Sequence, residues 1–284
     1  MKNLFKFNIA FFCIQIIFPL NMASAQLTPE KLGWEMGVQT YSLRKGSFFE
    51  AVDKTKSMGL KYVEAYPGQK IGADIPGTMD YQMSTADRKK ILDYLHQRRM
   101  KLISYGVVVP ETDADWRKLF EFAKEMGLVN IVSEPHPNQM DLVSKLCDEY
   151  KINVAIHNHP RPSHYWTPDS LLAVLKGRSH RIGSCADIGH WAYSGLNATE
   201  CLKKLQGRII ELHFKDVGNM EPDPSEKTEV LGKGIIGIKT VIEELHRQHF
   251  KGLVAIEYED NPENNIPQIK ESLEYFKEVV SKLK

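Results

Sequence analysis

The sequence predicts an α/β fold of a single domain, a (β/α)8 TIM barrel, on three observations. Eight short apolar segments recur along the chain, at residues 37–40, 62–65, 102–109, 129–132, 153–156, 182–186, 209–214 and 253–256. Between them lie stretches with helical apolar spacing, such as 84–98 with Ile91, Leu92 and Leu95, and 115–126 with Trp116, Leu119 and Phe120. Strand alternating with helix builds a parallel sheet. Length is the third observation: residues 26–284, about 259, suit one closed barrel. An open doubly wound sheet would carry a GxGxxG fingerprint after its first strand, and none is present.

Residues 1–25 stand apart from this pattern and are expected to be a cleaved signal peptide. Lys2 and Lys6 precede an apolar run of about 14 residues, and Ala23-Ser24-Ala25 offers small residues before Gln26 as the mature start. A bilayer span needs roughly 20 apolar residues, so the run is too short to anchor the chain. The expected location is periplasmic or secreted, with no membrane association once the signal is removed. Domain limits follow: 1–25 signal, 26–284 barrel.

Local signals agree with the barrel. Thr167-Pro168-Asp169 and Asn197-Ala198-Thr199 read as helix starts, each with a capping side chain before the first turn. Gly59, Gly127, Gly177, Gly207 and Gly252 fall between a helical stretch and the next strand, where a left-handed residue turns the chain back. Two connections are longer than the barrel requires, 67–81 and 217–234, both at the carboxyl ends of strands. Residues 267–284 read as the last outer helix, with Ile269, Leu273, Phe276 and Val280 on one face. Cys147, Cys185 and Cys201 have scattered spacing and are expected to be buried free thiols.

The formal charge is +1 and no basic block occurs, which removes the electrostatic case for a nucleic-acid partner. No HExxH, GxSxG or P-loop pattern is present. What the chain does carry is a set of polar residues closing successive apolar runs: Glu134 in IVSEPHP, Asp187 in SCADIGHW, His213 in IIELHFKD and Glu257 in LVAIEYED. On barrel topology these are the ends of strands four, six, seven and eight, which converge on one mouth. Three carboxylates and an imidazole suit one divalent metal ion, Mn, Co, Mg or Zn.

Further polar residues surround that set. His157 and His159 end the fifth strand, His190 follows Asp187 by three residues, and Lys215 with Asp216 follows His213. An imidazole here could orient a sugar hydroxyl or carry a proton; Lys215 could stabilise an enediolate or pair with Asp216. Glu64 and Tyr66 end the second strand, and Gln39 and Tyr41 the first. Trp166 and Trp191 lie just past the fifth and sixth, where an aromatic face could flank a pyranose. The expected substrate contacts are His157, His159, His190, Lys215, Glu64 and Trp166.

The order Glu, Asp, His, Glu, together with ADIGH, HFKD and the LGKG turn before a late helix, resembles the sugar phosphate isomerase/epimerase superfamily, the xylose isomerase-like TIM barrels that include the AP endonuclease family 2-like chains. The resemblance runs from about Gly33 to the C-terminus. It implies that Glu134, Asp187, His213 and Glu257 hold the metal. It also implies that Glu134 and Glu257 are catalytic, exchanging protons on opposite faces of a carbon beside a carbonyl, through an enediolate held by the metal. The function so implied is that of a metal-dependent isomerase or epimerase. An export signal and the lack of a phosphate cradle direct the expectation to a non-phosphorylated sugar or keto-sugar as the small-molecule partner. His157-Asn158-His159 departs from the ketohexose epimerase pattern and favours the alternative of a lyase, hydratase or glycoside-cleaving enzyme acting on a keto-sugar. A non-catalytic carbohydrate-binding barrel is the remaining alternative, and homo-oligomer formation is left open.

Overall fold

The structure, a computed structural model, describes residues 26–219 and 228–284. The segment expected to be a signal peptide lies outside the described residues. Eight parallel strands close into a barrel: β1 Trp34–Gln39, β2 Tyr62–Ala65, β3 Lys101–Tyr105, β4 Asn130–Ser133, β5 Asn153–His157, β6 Ile182–Asp187, β7 Ile209–Phe214 and β8 Gly252–Ile256. Each pairs with its neighbours in sequence, and β1 pairs with β8 through registers such as Val38 with Ile256. All eight expected strands are present, which bears out the (β/α)8 fold.

Outside the barrel run α1 Phe48–Ser57, α2 Thr85–Arg98, α3 Asp113–Met126, α4 Met140–Tyr150, α5 Pro168–Leu175, α6 Ile188–Tyr193, α7 Ala198–Lys204, α8 Ile238–Arg247 and α9 Ile266–Ser281. The capping chemistry legible in the sequence is realised: Thr167 accepts from the Ser170 amide and Asn197 from the Glu200 amide. The main core lies between strands and helices, where Phe276 of α9 meets Trp34 at 5.8 Å and Phe214 at 5.2 Å between ring centroids. Trp34 is buried, and its indole N–H, which must be satisfied there, donates to the Phe250 carbonyl at 2.9 Å. Cys147, Cys185 and Cys201 are buried free thiols, as expected. Among the described residues no helix is long and apolar enough to cross a membrane.

Four details differ from the sequence reading. The third strand stops at Tyr105 rather than continuing to 109, because Gly106 passes so close to β4 that a Cβ there would sit 2.1 Å from the Val132 carbonyl oxygen. Val107 then turns out into the barrel mouth. Gly252 is not a helix cap: His249 takes the left-handed conformation after α8, and Gly252 opens β8, where a Cβ would lie 2.5 Å from the Ile210 oxygen. The long connection after β2 contains a small antiparallel hairpin, Lys70–Gly72 with Ile75–Thr78. Asp216 does not pair with Lys215.

Instead the Asp216 carboxylate is buried and accepts the amides of Val217, Gly232, Gly234 and Ile236, tying down the described ends of the loop after β7. Removing that acceptor leaves the buried Val217 amide and three part-buried amides without it at once. Asp216→Ala is expected to lower the unfolding free energy by about 3 kcal/mol in a urea titration; a loss under half that would mean water replaces the carboxylate.

Candidate active site

The mouth lies at the carboxyl ends of the strands, a cavity of about 430 Å³. Imidazoles of His157, His159, His190 and His213, with Lys215 and Glu257, form one side of it. His190 stands in the first turn of α6, and the others are delivered by strand ends.

Asp187 closes β6 and caps α6. Its Oδ1 accepts the His190 amide at 2.9 Å, leaving Oδ2 buried with no hydrogen-bond partner. Asn158 locks this strand end to β5 by exchanging two hydrogen bonds with the Asp187 backbone, each of 2.9 Å. Burial would raise the Asp187 carboxyl, but His190 and Lys215 beside it hold it well below the ordinary range.

His213 is held from behind. Its Nε2 is 2.8 Å from Glu64 Oε2, and Glu64 Oε1 in turn accepts from Gln39 at 3.0 Å. A ring nitrogen fixed to a carboxylate leaves the other aimed forward. His213 Nδ1 lies 3.1 Å from Glu257 Oε2 and 4.0 Å from Asp187 Oδ2. Burial opposes a proton on His213, yet Cys185, Glu64 and Glu257 around it raise its pKa well above the usual value. Glu257 is likewise opposed by burial, and Lys215 and His213 bring it down to about 2.

Asp187 Oδ2, His213 Nδ1 and Glu257 Oε2 are therefore buried polar atoms without a hydrogen bond, converging on one place. Such orphans are costly unless a ligand satisfies them. Two hard oxygens and an imidazole nitrogen fit a divalent cation. His157 adds another donor: its ligand atom and those of Asp187 and His213 lie within 4.8 Å of one another, so this group could hold a metal ion.

Glu134 sits differently from the other three expected ligands. The His157 ring stands between it and Asp187, with Nδ1 3.5 Å from Glu134 Oε1 and Nε2 3.6 Å from Asp187 Oδ2. Both Glu134 oxygens are engaged: Oε1 with His159 Nδ1 and Oε2 with the Ser163 hydroxyl, which donates at 2.6 Å. Burial pushes Glu134 up, but His157 and His159 outweigh it and hold the carboxylate far below its ordinary value. His159 is half-exposed, and among the described residues its Nε2 has no hydrogen bond.

Lys215 is 1% exposed, with its ammonium set among polar partners at the mouth. Its ammonium lies 3.4 Å from Asp187 Oδ2 and 3.7 Å from Glu257 Oε2, donates to His190 Nε2 at 3.1 Å, and pairs with Glu259. Burial would lower its pKa, but Asp187, Glu257 and Glu259 raise it well above normal, so the charge persists. His190 is pushed well below its usual value by burial and the Lys215 charge, against the opposite pull of Asp187.

Of the expected substrate contacts, His157, His159, His190 and Lys215 line the mouth, whereas Glu64 lies behind His213 and Trp166 lies outside the lining, stacked under the Arg161 guanidinium at 3.8 Å. Trp191 is a core residue, 1% exposed. Missing from the sequence reading were Glu259, two residues past Glu257, and a polar layer beneath the site. There Glu211 accepts from Asn130 at 2.6 Å and Ser104 at 3.0 Å. Alternation along β7 from His213 would have found Glu211.

A family description of xylose isomerase-like TIM barrels matches residues 52–279. The chain belongs to the xylose isomerase-like TIM barrel family. An uncharacterised protein of Parabacteroides distasonis ATCC 8503, known as a crystal structure, is similar at 36% identity, with 87% of this chain and 99% of that one covered and a TM-score of 0.70. The inosose dehydratase of Lacticaseibacillus casei is 21% identical over 278 residues, spanning 81% of this chain and 88% of its own. IolI, whose crystal structure holds a zinc atom, shares the fold at 16% identity and a TM-score of 0.69, covering 88% of this chain and 99% of its own.

Two outcomes follow from this geometry. Glu64→Gln keeps shape but weakens the hold on His213, so Zn²⁺ affinity in a chelator competition is expected to fall about 10- to 100-fold; equal affinity would show that Glu64 does not orient the ligand. Burial, then the Glu64 charge, pushes Glu211 from 4.5 to about 8. A folded-state pKa above the unfolded one means stability present in acid and lost as pH rises through the folded value. In chelator, the stability of the wild type is therefore expected to decline between about pH 5 and 8 by urea titration, and that of Glu211→Gln to change less.

Proposed function

We propose that the protein is a divalent-metal-dependent lyase that removes a proton beside the carbonyl of a non-phosphorylated keto-sugar or keto-cyclitol and expels an oxygen substituent from the β-carbon. The observation that carries this reading is the Glu134–His159 pair. A carboxylate bound to one ring nitrogen orients an imidazole so that the other nitrogen serves as proton carrier at the mouth. Epimerisation needs an acid and a base on opposite faces of one carbon. Glu134, with both oxygens occupied, is poorly placed to be one of them.

Asp187, His213 and Glu257 would hold the cation, with His157 and Glu134 adjoining. Bound there, a divalent ion supplies Lewis-acid polarisation of the carbonyl. His159 Nε2 takes the proton from the carbon next to that carbonyl. The C–H electron pair becomes a C=C bond as the bond from the β-carbon to its oxygen breaks, and the same imidazolium returns the proton to the departing oxygen. The Lys215 ammonium, held charged at the mouth, stabilises negative charge developing on the carbonyl oxygen. The His190 ring, bonded to Lys215 through Nε2, holds that ammonium in place. The likeness to an inosose dehydratase supports elimination as the outcome, and the zinc atom in IolI, which shares the fold, supports a metal-binding reading.

Proton NMR of the metal-loaded protein with an inosose and with a 3-keto-glucoside in deuterated buffer tests the reading. An unsaturated product with release of water or aglycone is expected; deuterium at carbon in an intact skeleton would mean an isomerase or epimerase instead. His159→Gln is expected to lower turnover about 10²- to 10⁴-fold with metal content unchanged, whereas Glu257→Gln should lose metal as well.

A further inference from the structure

The wall of the mouth facing the imidazoles is aromatic. Tyr41 and Tyr66, with Pro67, line it, and the two rings meet edge to face at 5.2 Å and 82°. Tyr41, two residues past β1, is 39% exposed, one of few large apolar side chains left in solvent among the described residues. An exposed aromatic beside a cavity points to a ligand surface. Among the described residues neither phenol hydroxyl has a hydrogen bond, so both polar tips are available.

The platform is held in advance. The Tyr41 amide donates to Gln39 Oε1 at 2.9 Å. Arg44 packs its guanidinium 4.8 Å from the Tyr41 ring while donating to the Tyr41 carbonyl at 3.3 Å and the Glu259 carbonyl at 2.9 Å. Behind it Gln69, 1% exposed, accepts from Thr40 at 2.8 Å. Little ordering remains to be done when a ring lands there.

Beyond Tyr66 lies a second cavity of about 750 Å³, between Arg44–Ser47 and the hairpin after β2, with polar groups from Lys45, Lys70 and Asp74. Tyr66 lines both cavities. The mouth and its neighbour are each of small-molecule size. A single sugar ring placed against His159 and Lys215 would occupy the first and leave the second unused.

We propose that Tyr41 and Tyr66 form a second-ring subsite, so that the substrate is a glycoside whose reacting ring sits among the imidazoles and whose aglycone or second pyranose stacks on the tyrosines. This rests on the reading that the mouth processes a sugar, but it concerns binding and needs no turnover. The aromatic faces take the apolar face of the second ring, the free phenol hydroxyls and Arg44 take its polar edge, and the second cavity holds what extends further.

Saturation-transfer NMR and titration of the metal-loaded protein with phenyl β-D-glucopyranoside and with D-glucose test it. The phenyl glucoside is expected to bind about 10-fold more tightly than glucose, the worth of one aromatic contact of about 1.4 kcal/mol, with the strongest transfer to its phenyl protons. Tyr41→Ala and Tyr66→Ala should abolish that preference, with thermal midpoints confirming the fold, while Tyr66→Phe keeps it. Equal binding of the two sugars, absence of binding, or a preference that survives both alanine variants overturns the subsite. Failure of the two proposals separates cleanly: a tyrosine-dependent preference without any elimination leaves the subsite standing and removes the lyase reading. Elimination without a tyrosine-dependent preference does the reverse.

Discussion

The carboxylate of Asp187 divides its two oxygens between structure and site, and much of the mouth is arranged around that division. Oδ1 caps α6 through the His190 amide, which fixes the carboxylate's rotation and sets His190 one turn along. Oδ2 is thereby turned into the cavity, where no hydrogen bond meets it. Asn158 ties the same strand end to β5, so His157 and Asp187 keep their spacing. A cap that freezes one oxygen leaves the other preorganised for a cation or substrate, with no side-chain freedom left to lose on binding.

Around that point the barrel keeps unusual charge out of water. Lys215 is enclosed by Asp187, Glu257 and Glu259, and beneath it Glu64, Glu211, Ser104 and Asn130 form a buried polar layer. Ion pairs removed from water recover their desolvation only when the geometry is good and the remaining donors are matched. Here the match is incomplete at four atoms, those of Asp187, His190, His213 and Glu257. Stability has been given up where a ligand can restore it, which is the usual mark of a site built for chemistry rather than for folding. The aromatic wall opposite, exposed Tyr41 and half-buried Tyr66, is the apolar counterpart, lining the same cavity as the charged side.

The barrel was legible because its signals are local and repeated. Apolar runs, amphipathic spacing, Thr167 and Asn197 as caps, and the apolar face of α9 each read the same way in one dimension and in three. The site was legible as far as topology could carry it: residues at the ends of parallel strands share one mouth, so Asp187, His213 and Glu257 could be placed together before any coordinates. Where close approach decides, sequence reading failed. Nothing local marks Gly106 as lying against the Val132 carbonyl, so β3 was expected to run on through Val109. Lys215 and Asp216 are adjacent and oppositely charged, yet on a strand end they face opposite ways, one into the mouth and one to the loop amides.

By itself, then, the sequence determined the strand count, the closed parallel architecture, the family, and which polar residues stand at strand ends, since these follow from periodicity and from the geometry every such barrel shares. Only the tertiary structure decided the partners: that Glu134 is bound to His159 and Ser163 with His157 between it and Asp187, that Glu64 supports His213 from behind, that Trp166 lies off the mouth, and that Tyr41 pairs with Tyr66. The physical reason is reach. A strand end fixes where a backbone arrives, but a side chain takes its direction from whichever donor, acceptor or ring lies within about 3 to 5 Å of it, and those neighbours come from segments far apart in the chain.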